Sequence, residues 1–147
     1  MAGVRRLLVL GLLAATLAGC GGGRYDDYCD AVKSHRDELT KTLDAGGPQA
    51  LLEALPTFED LEDRAPTDIQ DDWAVLTKAL TELQDALDAA GVDAASYDPQ
   101  KPPAGVTRAE QDRIAGAATA VGDGQTRAAL AAVDQQARDV CHASLTL

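Results

Sequence analysis

Two histidines, three cysteines and thirteen basic residues among 147 set the first limits on what this chain does. With His35 and His142 the only imidazoles, a Ser/His/Asp relay must use one of them. There is no His-Glu-x-x-His, no Gly-x-Ser-x-Gly, no Gly-Lys-Ser/Thr phosphate loop and no Cys-x-x-Cys, so the common zinc, acyl-transfer, nucleotide and dithiol chemistries have no motif to stand on. Thirteen cations against 24 acids argue against nucleic acid, whose binding needs cationic neutralisation of phosphates, and against electrostatic adhesion to anionic lipid. No apolar run approaches the roughly 20 residues that cross a bilayer as a helix. No segment alternates apolar and polar residues long enough to claim a strand, and no internal repeat is visible.

What is present begins at the N-terminus. Arg5 and Arg6 form a basic start, Leu7 to Leu17 an apolar run, and Ala18 and Gly19 a pair of small residues before Cys20, the three-part layout of an export signal. The stretch Leu17-Ala18-Gly19-Cys20 resembles the lipobox of bacterial lipoprotein precursors. The resemblance implies that residues 1–19 are a signal peptide and that Cys20 is lipidated and becomes the new N-terminus. It also implies that the protein is held by lipid at the extracytoplasmic face of the bacterial cell membrane. The alternative is an ordinary secretory signal that leaves Cys20 as a free thiol. Arg5-Arg6 leaves Sec and twin-arginine export both open.

On that reading the mature chain is the 128 residues from Cys20 to Leu147, one domain's worth and enough to bury about two-thirds of its unfolded surface. Losing Arg5 and Arg6 leaves 11 cations against 24 acids, a net charge of −13. With Cys20 taken by lipid, Cys29 and Cys141 remain, and outside the cytoplasm such a pair forms a disulfide. The competing use of these thiols is a metal site with His35 and His142, which lacks the short paired spacings of structural zinc. Residues 20–24, Cys20 and a Gly-rich run, read as a flexible linker spanning at most about 17 Å, and residues 25–147 as one domain.

That domain reads as all-α, a small antiparallel bundle of four to five helices whose terminal helices are joined by Cys29–Cys141. The spacing predicts a first helix over 25–45, with Tyr25, Tyr28, Cys29, Val32 and Leu39 on its apolar stripe and Asp26, Asp27 and Asp30 at its dipole-favoured start. Gly46-Gly47-Pro48 separates it from a second, in which Pro56 predicts a kink or break near Leu55. The clearest pattern is Ile69, Trp73, Leu76, Leu80, Leu83, Leu87 and Ala90, a heptad-like seam in a helix over 67–90. Thr107 and Glu110 read as a capping box opening a fourth helix, with Ile114, Ala117, Ala118 and Val121 on its apolar face. A last helix over 125–143 is expected to bury Ala129, Leu130, Val133, Ala137, Val140 and Cys141.

Between the third and fourth helices lies a long connection, 92–106, with Tyr97, Asp98, Pro99, Pro102 and Pro103. Connections of that length are uncommon. It reads either as a stiff strap with Tyr97 as its anchor or as a partner-binding loop. Tyr28-Cys29, Ala65-Pro66, Asp72-Trp73, Tyr97-Asp98-Pro99, Pro102-Pro103 and Val140-Cys141 together look like small helical lipoproteins of high-GC Gram-positive bacteria, a resemblance that implies no activity. The functional expectation is a membrane-anchored, non-catalytic interaction or binding module of the cell envelope, without cofactor or metal, meeting an envelope protein. The alternative is a lipoprotein that binds a cation or basic ligand through its acidic residues.

Overall fold

Apolar residues recurring every three or four positions fold as five helices in the computed structural model, which describes residues 22–146. They are α1 (Gly22–Leu43), α2 (Gly47–Arg64), α3 (Gln70–Ala90), α4 (Arg108–Val121) and α5 (Gly124–Cys141). Among the described residues there is no strand, and no helix is long and apolar enough to cross a membrane. The expected signal sequence and Cys20 lie outside the described residues.

The seam of α3 is the axis of the bundle. Ile69, Trp73, Leu76, Leu80, Leu83 and Leu87 are all buried, and α3 packs against α2, α4 and α5 while α1 packs against α2 and α5. A residue at every third or fourth position keeps one stripe of the helix facing its partners. The other helices supply Val32, Leu39, Phe58, Leu61 and Val133, each with at most 1% of its surface exposed. Much of the α5 face is alanine, with Ala129 and Ala137 buried.

One end of the bundle carries a polar bond inside this apolar packing. Trp73 is fully buried, and its Nε1–H donates to the Tyr28 hydroxyl at 3.1 Å. The Phe58 ring lies 5.9 Å away at a 45° tilt. Burial raises the Tyr28 phenol above its ordinary value, because a phenolate there would lose its hydration. Next to Tyr28, Cys29 is bonded to Cys141, with Cα atoms 5.0 Å apart and a separation of 112 positions in sequence. The beginning of α1 is thereby fixed to the end of α5, as an antiparallel pairing of the terminal helices requires. His142 then turns the chain in the left-handed region (φ 53°), and Ala143 and Leu145 fold back into the core.

Several local expectations are corrected. α1 already includes residues 22–24 of the expected linker, so Asp26, Asp27 and Asp30 lie beyond its first turn. Helix-dipole stabilisation fades within the first turn and does not account for these carboxylates. Tyr25 is 38% exposed rather than on the buried stripe, and its hydroxyl donates to Asp68 at 3.3 Å. α2 does not break at Pro56. That proline is exposed, and the helix continues past it to Arg64. α3 starts at Gln70, three residues later than expected, after a turn over 67–69. Ala118 is exposed and Val140 is 39% exposed.

The bridge and the buried pair next to it are separately testable. Breaking Cys29–Cys141, by reductant or by Cys29→Ser with Cys141→Ser, is expected to lower stability by about 4 kcal/mol from chain entropy alone, a fall in melting temperature on the order of 10 °C. Peptide mapping without reductant should recover Cys29 and Cys141 joined; finding both free to alkylate would refute the bridge. Tyr28→Phe leaves the Trp73 N–H without its acceptor and should lower unfolding stability by about 1–3 kcal/mol in denaturant titrations.

Candidate functional site

The end of the bundle opposite the bridge is where concave surface gathers. α3 carries the direction: Trp73 sits by Tyr28 and Cys29, and Leu87, fourteen residues on, lies about 20 Å further along the helix axis. There the first turns of α2, the last turns of α3, the long connection and α4 enclose a cleft of about 480 Å³. Leu52, Leu83, Leu87 and Ile114 form its floor, with Tyr97 and Pro99 on the loop side. That volume falls within the range of small-molecule sites, which are largely apolar with a few polar groups at the rim. Here the rim has Gln111, whose Nε2 donates to the Val106 carbonyl at 3.0 Å. It also has Arg108, whose Nε lies 3.5 Å from Asp112 Oδ1 in an exposed pair.

The loop reaches this position by a chain of local turns. The Tyr97 N–H donates to the Asp93 carbonyl at 2.9 Å, the Lys101 N–H to Asp98 at 3.0 Å and the Val106 N–H to Pro103 at 3.2 Å. Asp93 and Asp98 each accept from the backbone N–H two residues on, of Ala95 and Gln100, both at 2.8 Å. Side chains of Asp satisfy backbone donors in this way where no helix is available to do so. Tyr97 is half-buried and packs against the hydrophobic core.

Of the loop residues singled out from sequence, the structure therefore brings Tyr97 and Pro99 to the cleft and leaves the other three aside. The Asp98 carboxylate is used within its own turn. Pro102 is half-buried and Pro103 exposed, and neither lines the cleft. Cys29 and Cys141 are bonded to each other, which removes both thiols from any metal site with His35 and His142. His35 instead makes a 3.1 Å contact with Asp60, and His142 is exposed. Among the described residues no three His, Cys, Asp or Glu side chains converge to hold a metal ion.

Pro48, Leu52, Leu83, Leu87 and Arg108 complete the cleft without a signal of their own in the sequence. Leu83 and Leu87 belong to the α3 seam and are buried at 3% each, so periodicity reads them as core alone. The start of α4 is fixed by a capping box: the Thr107 backbone N–H and hydroxyl donate to Glu110 Oε2 at 2.7 and 2.8 Å, and the Glu110 N–H donates back to Thr107 Oγ1 at 3.3 Å. The backbone donor first, then the hydroxyl, hold the Glu110 carboxyl below the usual carboxylate range.

A folded-state pKa lowered in this way adds stability above the unfolded value of 4.5, lost as the pH falls through the folded value. Glu110→Ala should therefore lower the melting temperature at pH 7. The gap from the parent chain should close as the pH is taken well below 4.5; a gap constant across that range would show that the box contributes nothing through the carboxylate. No known protein family, curated protein or solved structure matches this chain.

Proposed function

We propose that the chain is a lipid-anchored extracytoplasmic lipoprotein whose helical domain is a non-catalytic binding module of the bacterial cell envelope. The observation that carries the reading is the fate of the cysteines. Cys29 and Cys141 are committed to each other, and the remaining one of the three, Cys20, stands at the last place of the lipobox-like Leu17-Ala18-Gly19-Cys20. A structural disulfide belongs to an oxidising compartment, which is where such a signal delivers its protein. The bridge end of the domain carries the start of α1 and so lies nearest Cys20 in sequence, while the cleft faces away. Two acyl chains are sufficient for stable anchoring, and a surface of net charge −13 adds no attraction to anionic lipid.

The primary partner on this reading is another envelope protein that meets the outward end of the bundle. The alternative partner is a basic ligand, and it draws on the acidic surface. A metal ion is the weaker form of that alternative, given that no convergent cluster exists among the described residues.

Expression of the full chain in a bacterial host, with a clickable palmitate analogue in the medium, tests the anchor. The parent chain is expected in the membrane fraction and labelled, and Cys20→Ala soluble and unlabelled. A parent chain that is soluble and unlabelled would overturn the lipoprotein reading. Crosslinking in intact cells, with the domain's outward end as the site of attachment, tests the partner; recovery of no specific envelope protein under several growth conditions would count against the interaction.

A further inference from the structure

We propose that the distal cleft and an acidic hollow beside it form one binding site for a small amphipathic organic cation, an apolar body bearing an ammonium or guanidinium group. The inference rests on the reading of the domain as a binding module and makes no use of the lipid anchor. The cleft of about 480 Å³ adjoins a second hollow of about 440 Å³, and Leu52 and Ala94 line both. The two differ in chemistry. The cleft is floored by leucine and isoleucine, whereas the hollow is bordered by Glu53, Asp88 and Asp93 with Gln49 and Gln84.

The three carboxylates determine what such a site takes. Each accepts a hydrogen bond from a neutral donor: Glu53 from Gln49 Nε2 at 2.7 Å, Asp88 from Gln84 Nε2 at 2.9 Å and Asp93 from the Ala95 N–H at 2.8 Å. Neutral donors orient a carboxylate but do not cancel its charge, and none of the three carboxylates is in an ion pair among the described residues. The carboxylates do not converge as metal ligands either. Spread negative charge on an open wall suits a large cation that keeps part of its hydration, not a metal ion that must exchange its water for three or more oxygens.

Sign and shape then point to the same ligand. An apolar body placed in the cleft past Leu52 leaves its head at the hollow, where an ammonium meets carboxylates and an anionic head meets repulsion. Arg108, the cation that lines the cleft, already faces Asp112 at 3.5 Å. The field of the whole domain favours approach of cations over anions, and screening by salt weakens that preference without touching the apolar contribution.

The test is calorimetric titration of the full chain carrying Cys20→Ala, so that no acyl group of its own competes, with decylammonium below its micelle concentration. Decanol, decanoate and propylammonium serve as comparisons. Saturable one-to-one binding of decylammonium is expected, tighter than decanol, with decanoate weakest and propylammonium undetected. Ala115 is exposed and lines the cleft, so Ala115→Trp should fill it and abolish binding at an unchanged melting temperature. Glu53→Gln with Asp88→Asn should weaken decylammonium by about fivefold, the worth of exposed charges, and leave decanol unchanged.

Absence of saturable decylammonium binding, decanoate binding as tight as decylammonium, or binding that survives Ala115→Trp would each overturn the proposal. Failure of the anchor is read separately by membrane fractionation. A chain that binds decylammonium but never reaches the membrane keeps the site and loses the anchor, and the reverse result loses the site alone.

Discussion

The bond between Cys29 and Cys141 is the constraint on which the rest of the arrangement depends. It closes 112 residues into a loop, which removes chain entropy from the unfolded state, and it fixes where α1 begins relative to where α5 ends. The fully buried Tyr28–Trp73 hydrogen bond next to it then sets the start of α3 against that junction. With α1, α3 and α5 located at one end, the short turns after α1 and α4 leave their neighbours little choice of position. An apolar core alone tolerates many packings of similar energy; one covalent bond and one buried polar pair select among them.

Both ends of the axis so defined carry carboxylates beside a hollow, in different company. Towards the bridge end, Asp60 accepts from Arg64 and contacts His35, which holds its carboxyl below the usual range with Arg64 as the main cause, and Asp68 accepts from Tyr25. At the far end, Glu53, Asp88 and Asp93 have neutral donors and, among the described residues, no cation in an ion pair. The apolar residues they border are not fully covered, because α4 has only 14 residues and the loop over 92–106 closes the gap by turns and not by a helix. A short helix and a strap of turns leave a cleft where a longer helix would have filled the space.

Much of the fold was legible in the residues, and the exceptions have identifiable causes. The α3 seam, the Gly-Pro separator at 46–48 and the Thr107–Glu110 box are local signals, each decided within one or two turns of chain, and each is realised. Pro56 does not break α2, because one missing donor is a local cost that the packed face of the helix, with Leu52, Leu55, Phe58 and Leu61 buried on either side of it, outweighs. Tyr25 and Val140 mislead because a helical stripe records which residues share a face, not whether a neighbour covers that face along its whole length. The loop was legible as unusual, but not which members of Tyr97, Asp98, Pro99, Pro102 and Pro103 would face the cleft: the outcome depends on where successive turns point.

The sequence by itself determined the helical class, the Thr107–Glu110 capping box, the Gly91 stop and the acidic composition, since these follow from residue type and from spacing along the chain. Only the tertiary structure decided that Cys29 and Cys141 lie within bonding distance, that Trp73 donates to Tyr28, and that Leu52, Leu83, Leu87 and Tyr97 share one cleft beside three carboxylates. The physical reason is separation along the chain. Residues 45 or 112 positions apart meet only through the packing of whole helices, and the direction of that packing is a property of the assembled core and not of any segment within it.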